Sequence, residues 1–405
     1  MSLDILPIVA TLRRHRLTAT LLVLQIALTC AIVCNAVFVI GDRLAWMTTP
    51  SGIAEDQLMR ITVSDIGPRK DIHARVEADL AAIRGIPGVE AVTVGNSLPF
   101  GGNAWNSGLK LDRSQRSSSV DVATFYGESL AETLGSRLLA GRMFHPDEYR
   151  WVDDLVAEKA TSSHVGIVTN DLARRLFPDK SALGEEILVG GEPVRIVGVL
   201  ERLPAASGKA REDVNDTVLM PWRMIPAYGG GYFVRARKGE TARVLKDAVA
   251  ALKGVNPRRV VVEARPYTEI RGRFFAADRA MAVLLSSVSV ALLAVTALGI
   301  VGLASFWVGQ RRRQIGVRRA LGASRADILH YFQTENFLLA SMGIVLGMVL
   351  AYGINALLMK QYELPRLPLA YLPVGATVLW LLGQVAVLAP ALRAASVPPV
   401  EATRG

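Results

Sequence analysis

Cysteine and histidine are scarce in this chain, and neither is spaced for metal or redox chemistry. The two cysteines, Cys30 and Cys34, both lie inside one apolar run. At i,i+4 they share a helix face, where the expectation is two small buried packing residues rather than a disulfide. Thr29 and Val33 before them suit a lipoprotein cleavage site poorly. The histidines (His15, His73, His145, His164, His330) are scattered, and no C-x-x-C, H-E-x-x-H or G-x-S-x-G pattern occurs. Those absences exclude the usual zinc, thioredoxin-type and hydrolase sites. His145 and Asp147 stand close together in GRMFHPDE, which reads as a turn. A phosphate loop is missing as well. Gly208-Lys209 is followed by Ala210, and Leu203 stands where the first glycine of G-x-x-x-x-G-K-[ST] belongs. The sequence holds no catalytic constellation, and the chain is expected to be a non-enzymatic protein that binds no cofactor of its own.

Charge is missing from long stretches. The chain is 51% hydrophobic and 20% charged over 405 residues. The apolar excess collects near residues 17–41, 281–308, 337–358 and 369–392. From Leu17 to Ile40 no charged residue occurs. At 1.5 Å per residue such a helix covers about 36 Å, against a hydrocarbon core of about 30 Å. A signal peptide has a shorter apolar part and a small-residue cleavage site, so a retained anchor is expected. The implied spans are 17–41, 277–308, 337–358 and 370–392. They separate an N-terminal segment (1–16), a large domain (42–276), a basic segment (309–336), a short loop (359–369) and a C-terminal segment (393–405). No span carries Asp, Glu, Lys or Arg near its middle, which disfavours a free-standing ion-coupled carrier.

The net charge of +10 invites a nucleic-acid reading, but its distribution argues otherwise. Arg13, Arg14 and Arg16 precede the first span; Arg311, Arg312, Arg313, Arg318, Arg319 and Arg325 follow the second; Arg393 and Arg404 follow the fourth. Short basic segments beside spans set orientation, so both termini are expected in the cytoplasm and the large domain outside. Arg271, Arg273 and Arg279 oppose this locally and are outnumbered; the loop near Lys360, Glu363 and Arg366 is mixed. In the third span Gly343 and Gly347 form G-x-x-x-G, with Gly353 beyond. That spacing marks a close helix–helix contact or reflects the general frequency of glycine in membrane helices. Pro373 and Pro390 are expected to begin and stop the fourth helix.

Inside the large domain, two β-α-β units stand out. The first is Gln57–Val63, a helix near Asp71–Arg84 with Ile72, Val76, Leu80 and Ile83 on one face, and Val89–Val94. The second is Gly231–Ala236, a helix near Thr241–Lys253 with Val244, Leu245, Ala248, Val249 and Leu252 on one face, and Arg258–Ala264. Together they predict a split ferredoxin-like sheet covered by helices on one side. Residues 104–222 read as an inserted module, with a polar stretch (Asp112–Ser119), a short helix (Asp171–Leu176) and strands at Glu186–Val189 and Val194–Leu200.

After the second span, RRRQIGVRRALGASRADILHYFQTE (Arg311–Glu335) predicts a basic helix, a tight turn at Leu321–Ser324, and a helix leading into span three. Gly322 can end the first helix, and Ser324 with Asp327 makes an N-cap pattern for the second. Such an elbow suits a cytosolic partner or anionic lipid.

The Arg311–Ala323 stretch resembles the signature of MacB/FtsX-type ABC permeases, with Gln314 in place of the family's usual glutamate. The closing PALRAASVPPVEATRG (Pro390–Gly405) is similar to the family's last segment, and LLAGRMFHPDE (Leu138–Glu148) and GIVTNDLARRLFPDKSALGEEI (Gly166–Ile187) are similar to the MacB-type periplasmic core. The resemblance implies an inner-membrane permease with an α-helical bundle of four spans and an α+β periplasmic domain. It also implies dimerisation with a second copy or a paralogue, and a cytosolic ATPase that binds ATP-Mg. A periplasmic adaptor and an outer-membrane duct are further expected partners. MacB carries its ATPase ahead of its first span, whereas this sequence shows none, so hydrolysis is expected in a separate subunit. Docking of that subunit is expected at Gly316, Arg318, Arg319, Ala320, Leu321, Gly322 and Ala323, with helix packing at Gly343 and Gly347. The functional expectation is ATP-driven export or mechanotransmission; the alternative is an FtsX-like regulator or sensor.

Overall fold

A computed structural model describes residues 16–65, 71–157, 163–207, 211–362 and 367–396. Arg13, Arg14, Gly208-Lys209, Glu363, Arg366 and the closing segment beyond Ser396 lie outside the described residues. In chain order the elements are α1 (Arg16–Met47), β1 (Leu58–Asp65), α2 (Ile72–Arg84), β2 (Val89–Gly95), β3 (Asn106–Lys110), β4 (Val120–Tyr126), α3 (Leu130–Leu134), β5 (Leu138–Gly141) and β6 (Arg150–Trp151). They continue with α4 (Val152–Val156), β7 (Val165–Thr169), α5 (Asn170–Leu176), β8 (Glu186–Val189), β9 (Glu192–Leu200), β10 (Thr217–Met220), β11 (Trp222–Arg223), β12 (Gly231–Ala236), α6 (Thr241–Val255), β13 (Arg259–Pro266) and α7 (Tyr267–Phe274). The described elements close with α8 (Ala276–Gln310), α9 (Arg312–Ala320), α10 (Arg325–Tyr362) and α11 (Tyr371–Ala395). Contacts divide it into an α/β unit, Thr48–Ala277, and a helical unit built from the segments on either side.

In the α/β unit the two β-α-β segments interleave into one antiparallel sheet of order β13-β1-β12-β2, the ferredoxin-like arrangement. Val76, Leu80 and Ile83 of α2 and Val244, Ala248 and Leu252 of α6 are buried against it, as their helical spacing requires. The inserted residues are far richer in strands than the two short segments read from sequence. They form a mixed sheet of order β5-β9-β7-β10-β4-β3-β8, and β8 also pairs with β9. That last pairing closes six strands into a ring with β5 at its edge, which removes most open edges. Strands such as β7, buried at every position, lack the alternation that would flag a one-faced sheet. One continuous hydrophobic core joins the two sheets.

Charge is also buried in this unit. The Arg259 guanidinium, 2% exposed, bonds Asp79 (2.7 Å) and Asp65 (2.7 Å), and the Tyr232 hydroxyl donates to Asp79 at 2.5 Å. Asp79 shares the apolar face of α2, where isolated it would be strongly unfavourable. Arg271, counted above against the orientation, pairs with Glu55 and donates to the Thr49 carbonyl at 2.6 Å. The GRMFHPDE segment forms a turn: Glu148 accepts from the His145 backbone N–H (2.8 Å) and from Arg142 (2.6 Å).

Four helices among the described residues are long and apolar enough to cross a membrane: Arg16–Met47, Ala276–Gln310, Arg325–Leu357 and Tyr371–Ala395. α1 runs six residues beyond the expected end of span one, where Arg43 pairs with Asp278 at 2.8 Å. α10 runs unbroken through the expected boundary at 336–337. Pro390 does not stop the fourth helix, which continues to Ala395. Proline removes one N–H and crowds the preceding turn, but flanking helices in a bundle tolerate it. α1 is the most enclosed, packing closely on α10. A Cβ at Gly343 would lie 2.8 Å from the Ile26 side chain and 3.0 Å from the Val23 carbonyl. At Gly347 it would lie 2.5 Å from Cys30 and 2.7 Å from the Ala27 carbonyl. Around Gly353 that space is empty. Neutral polar groups complete the packing: Thr29 meets Thr296 (2.8 Å), and Asn35 donates to the Ala351 carbonyl (3.1 Å). Cys30 and Cys34 are buried within this contact, their sulfurs 4.0 Å apart.

Candidate functional site

The elbow between α8 and α10 forms as its local sequence dictates. α9 ends in a paired arrangement of backbone bonds: the Ala323 N–H reaches the Arg318 carbonyl (3.0 Å) and the Gly322 N–H reaches that of Arg319 (3.2 Å). This closure needs a left-handed residue after the helix, and Gly322 supplies it at φ +100°. α10 then opens on a reciprocal cap. The Ser324 hydroxyl accepts from the Asp327 N–H (3.2 Å), and the Asp327 carboxylate accepts from the Ser324 N–H (2.9 Å).

The seven residues expected to dock a partner fall into two groups. Gly316 is buried, and Arg319 is half-buried and donates to the Ala395 carbonyl of α11 at 3.2 Å. These two hold the elbow in shape. Arg318, Ala320, Leu321 and Gly322 are exposed, with Leu321 at 84%, and Ala323 is half-buried. Arg318 lies over the Tyr331 ring, 4.9 Å from its centroid. The tip is extended by exposed Arg312, Arg313, Val317 and Arg325. None of Arg312, Arg313 and Arg325 has a carboxylate partner among the described residues. Beside the tip, Gln314, Ile315, Arg318, Asp327, Ile328 and Tyr331 help line a cleft of about 110 Å³.

Sequence reasoning missed the pair that anchors this elbow. Arg311 was counted with the orienting arginines, yet it is buried and donates to Glu335 of α10 at 3.0 and 3.1 Å. Glu335 is 1% exposed. A lone glutamate before a long apolar run, 24 residues from an arginine at the end of the preceding span, was the available signal. The pair joins the end of α8 to α10, while Arg319 joins α9 to α11. Ile315, Ile328, Phe332, Ala391, Ala394 and Ala395 pack between these anchors. The elbow is therefore seated on three helices of its own unit, with an exposed leucine at its tip near Arg312, Arg313 and Arg325, which have no carboxylate partner among the described residues.

Residues 19–252 match the MacB-like periplasmic core domain, and residues 286–399 match the FtsX-like permease C-terminal domain. The chain belongs to the MacB/FtsX-type ABC transporter permeases. It is thus a multi-pass membrane protein with an extracytoplasmic domain. Among its relatives is an uncharacterized ABC transporter permease, YknZ of Bacillus subtilis, 25% identical over 81% of this chain and 78% of that protein. A macrolide export ATP-binding/permease protein, MacB of Chromobacterium violaceum, is 26% identical over 68% of this chain and 42% of that protein. This permease therefore spans less than half of that fused relative. Among solved structures, the periplasmic region of MacB from Actinobacillus actinomycetemcomitans aligns with 56% of the chain and 97% of that structure, at 13% identity and a TM-score of 0.35.

Proposed function

We propose that this permease passes ATP-driven motion from a separate cytosolic ATPase, through the α9 elbow and the membrane helices, to its extracytoplasmic domain. The observation that carries the reading is the elbow tip: an exposed Leu321 among arginines without carboxylate partners, on a support fixed by Arg311–Glu335 and Arg319–Ala395. An exposed leucine within a basic rim suits a groove with an apolar floor and acidic edges, the composition from which interface anchors are made. Chain connectivity supplies the output, because α1 leads into the α/β domain and α7 leads out of it to α8. The helices contribute neutral packing contacts rather than an ionisable relay at mid-span, which suits transmission of motion better than ion conduction.

In this reading both termini and the elbow are cytoplasmic, the membrane is the inner membrane, and ATP-Mg binds on the partner. The working unit is a dimer with a second copy or a paralogue. It hands substrates met outside the membrane to an adaptor and an outer-membrane duct. The FtsX-like match over 286–399 supports a second reading, in which the same motion regulates an outside enzyme or reports a ligand. Co-purification in mild detergent tests the core proposal. Wild type should bring down an ABC ATPase subunit, and the Arg318→Glu/Leu321→Asp double variant should lose it while staying in the membrane. An ATPase bound equally to both would remove the elbow from the proposal; no ATPase with wild type would favour lipid as the arginines' partner. Deletion separates the two readings: lost efflux tolerance supports export, and altered envelope integrity supports regulation.

A further inference from the structure

His73, Asp153 and Asp154 come together in the α/β domain although 80 residues separate the first two. His73 sits in the first turn of α2, the helix over the ferredoxin-like sheet. Asp153 and Asp154 sit in α4, which follows the short strand β6 in the inserted part. The His73 Nε2 atom is 2.9 and 3.0 Å from the two Asp153 carboxylate oxygens. Its ring is stacked on Trp151 with centroids 4.2 Å apart and planes within 6°, and Arg223 lies 5.6 Å from the same indole. The imidazole is therefore held in one plane with Nε2 turned to the carboxylates.

A hydrogen-bonded histidine–aspartate pair explains two members of this group and leaves the third. Asp154 has no cationic partner among the described residues, yet its carboxylate lies with the other two donor atoms, all within 4.8 Å of one another. Two carboxylates beside a single imidazole leave net negative charge in a half-buried place that an ion can still reach, with His73 37% and Asp153 23% exposed. We infer that this group binds a divalent first-row transition cation, with the remaining coordination positions open to water. Zinc bonds of about 2.0–2.2 Å to imidazole nitrogen and carboxylate oxygen place donors roughly 3–4 Å apart, so small side-chain rotations suffice. The imidazole selects for zinc-like ions over magnesium or calcium, which prefer all-oxygen shells. Binding ties α4 of the inserted part to α2 of the sheet layer, so the metal acts as a clasp within the extracytoplasmic domain.

The test is calorimetric titration of ZnCl2 into the full chain, purified in detergent, stripped of metal and carrying no polyhistidine tag. Wild type should take up one saturating equivalent, and its thermal midpoint should rise with zinc. His73→Ala and Asp154→Asn should each bind more weakly by more than the roughly 10–100-fold that changes outside a metal's own ligands cost. His164→Ala, outside the group, should bind as wild type does. Asp154→Asn is the decisive variant, since a simple His73–Asp153 pair does not need that charge and predicts unchanged behaviour. Absence of saturable uptake by wild type, undiminished affinity in Asp154→Asn, or loss in His164→Ala instead would each overturn the site.

Discussion

The α/β domain and the helical unit bury polar groups by opposite means. In the domain, an arginine from β13 is held between a buried aspartate from α2 and a partly exposed one from β1, at the edge of the aliphatic and aromatic core. In the helical unit, contact between α1 and α10 depends on leaving side chains out: Gly343 and Gly347 bring one backbone onto the other. The difference follows from solvent. Expulsion of water drives a soluble core together and can offset the desolvation of a well-paired charge. Lipid tails are as apolar as the helices, so association there rests on close fit and a few neutral hydrogen bonds. The charged pairs of the helical unit described above stand away from mid-span, Arg311–Glu335 at the elbow and Arg43–Asp278 where α1 and α8 meet the α/β segment.

The strongest way to break the contrast is at its ionic centre. Asp79→Ala leaves Arg259 buried with one partner fewer and should destabilise the α/β domain by about 3–5 kcal/mol. Hydrogen exchange along α2 and α6 measures it; a loss below about 1 kcal/mol would mean that Asp65 alone compensates the arginine. Next comes the glycine seam. Gly347→Leu overpacks against Cys30 and Ala27 and should cost about 1–3 kcal/mol in detergent-unfolding assays. Gly353→Leu enters open space and should cost little, so equal losses at both positions would remove the close-approach argument.

Acid provides a weaker probe of the same domain. The hydrogen bond from Arg259, with its charge, holds the Asp65 carboxyl below the usual carboxylate range despite partial burial. A depressed folded value means the contribution is fully present above the unfolded value of about 3.9 and is lost as pH falls through the folded one. Stability of the domain against denaturation should thus change little from neutral pH to about 5 and fall below about 4, with the dependence reduced in Asp65→Asn. The smallest effect on stability belongs to Leu321→Asp. At an 84% exposed position it should stay within about 0.5 kcal/mol of wild type. Any larger loss would mean the elbow tip packs within the chain instead of facing a partner.

Features set by neighbours in sequence were legible. The charge-free runs announced the membrane helices, apolar positions at helical spacing announced the helices of the two β-α-β units, and Gly322 with Ser324 and Asp327 announced the turn. Features set by distant partners were not. Asp79 reads as a polar interruption of an apolar face until Arg259, 180 residues on, reaches it. Glu335 reads as the edge of a span until Arg311 folds against it, and Pro390 reads as a stop until the bundle accommodates it. The ring of strands in the inserted part was hidden because its buried segments lack alternation.

Sequence by itself determined where this permease meets lipid, where its elbow bends and which residues can form helices and strands, because hydropathy, capping and backbone freedom act over a few residues. Tertiary structure alone decided which charges are neutralised, which glycines touch another backbone and which histidine meets carboxylates. Those outcomes depend on distances across the fold, where electrostatic and packing energies change steeply within an ångström or two.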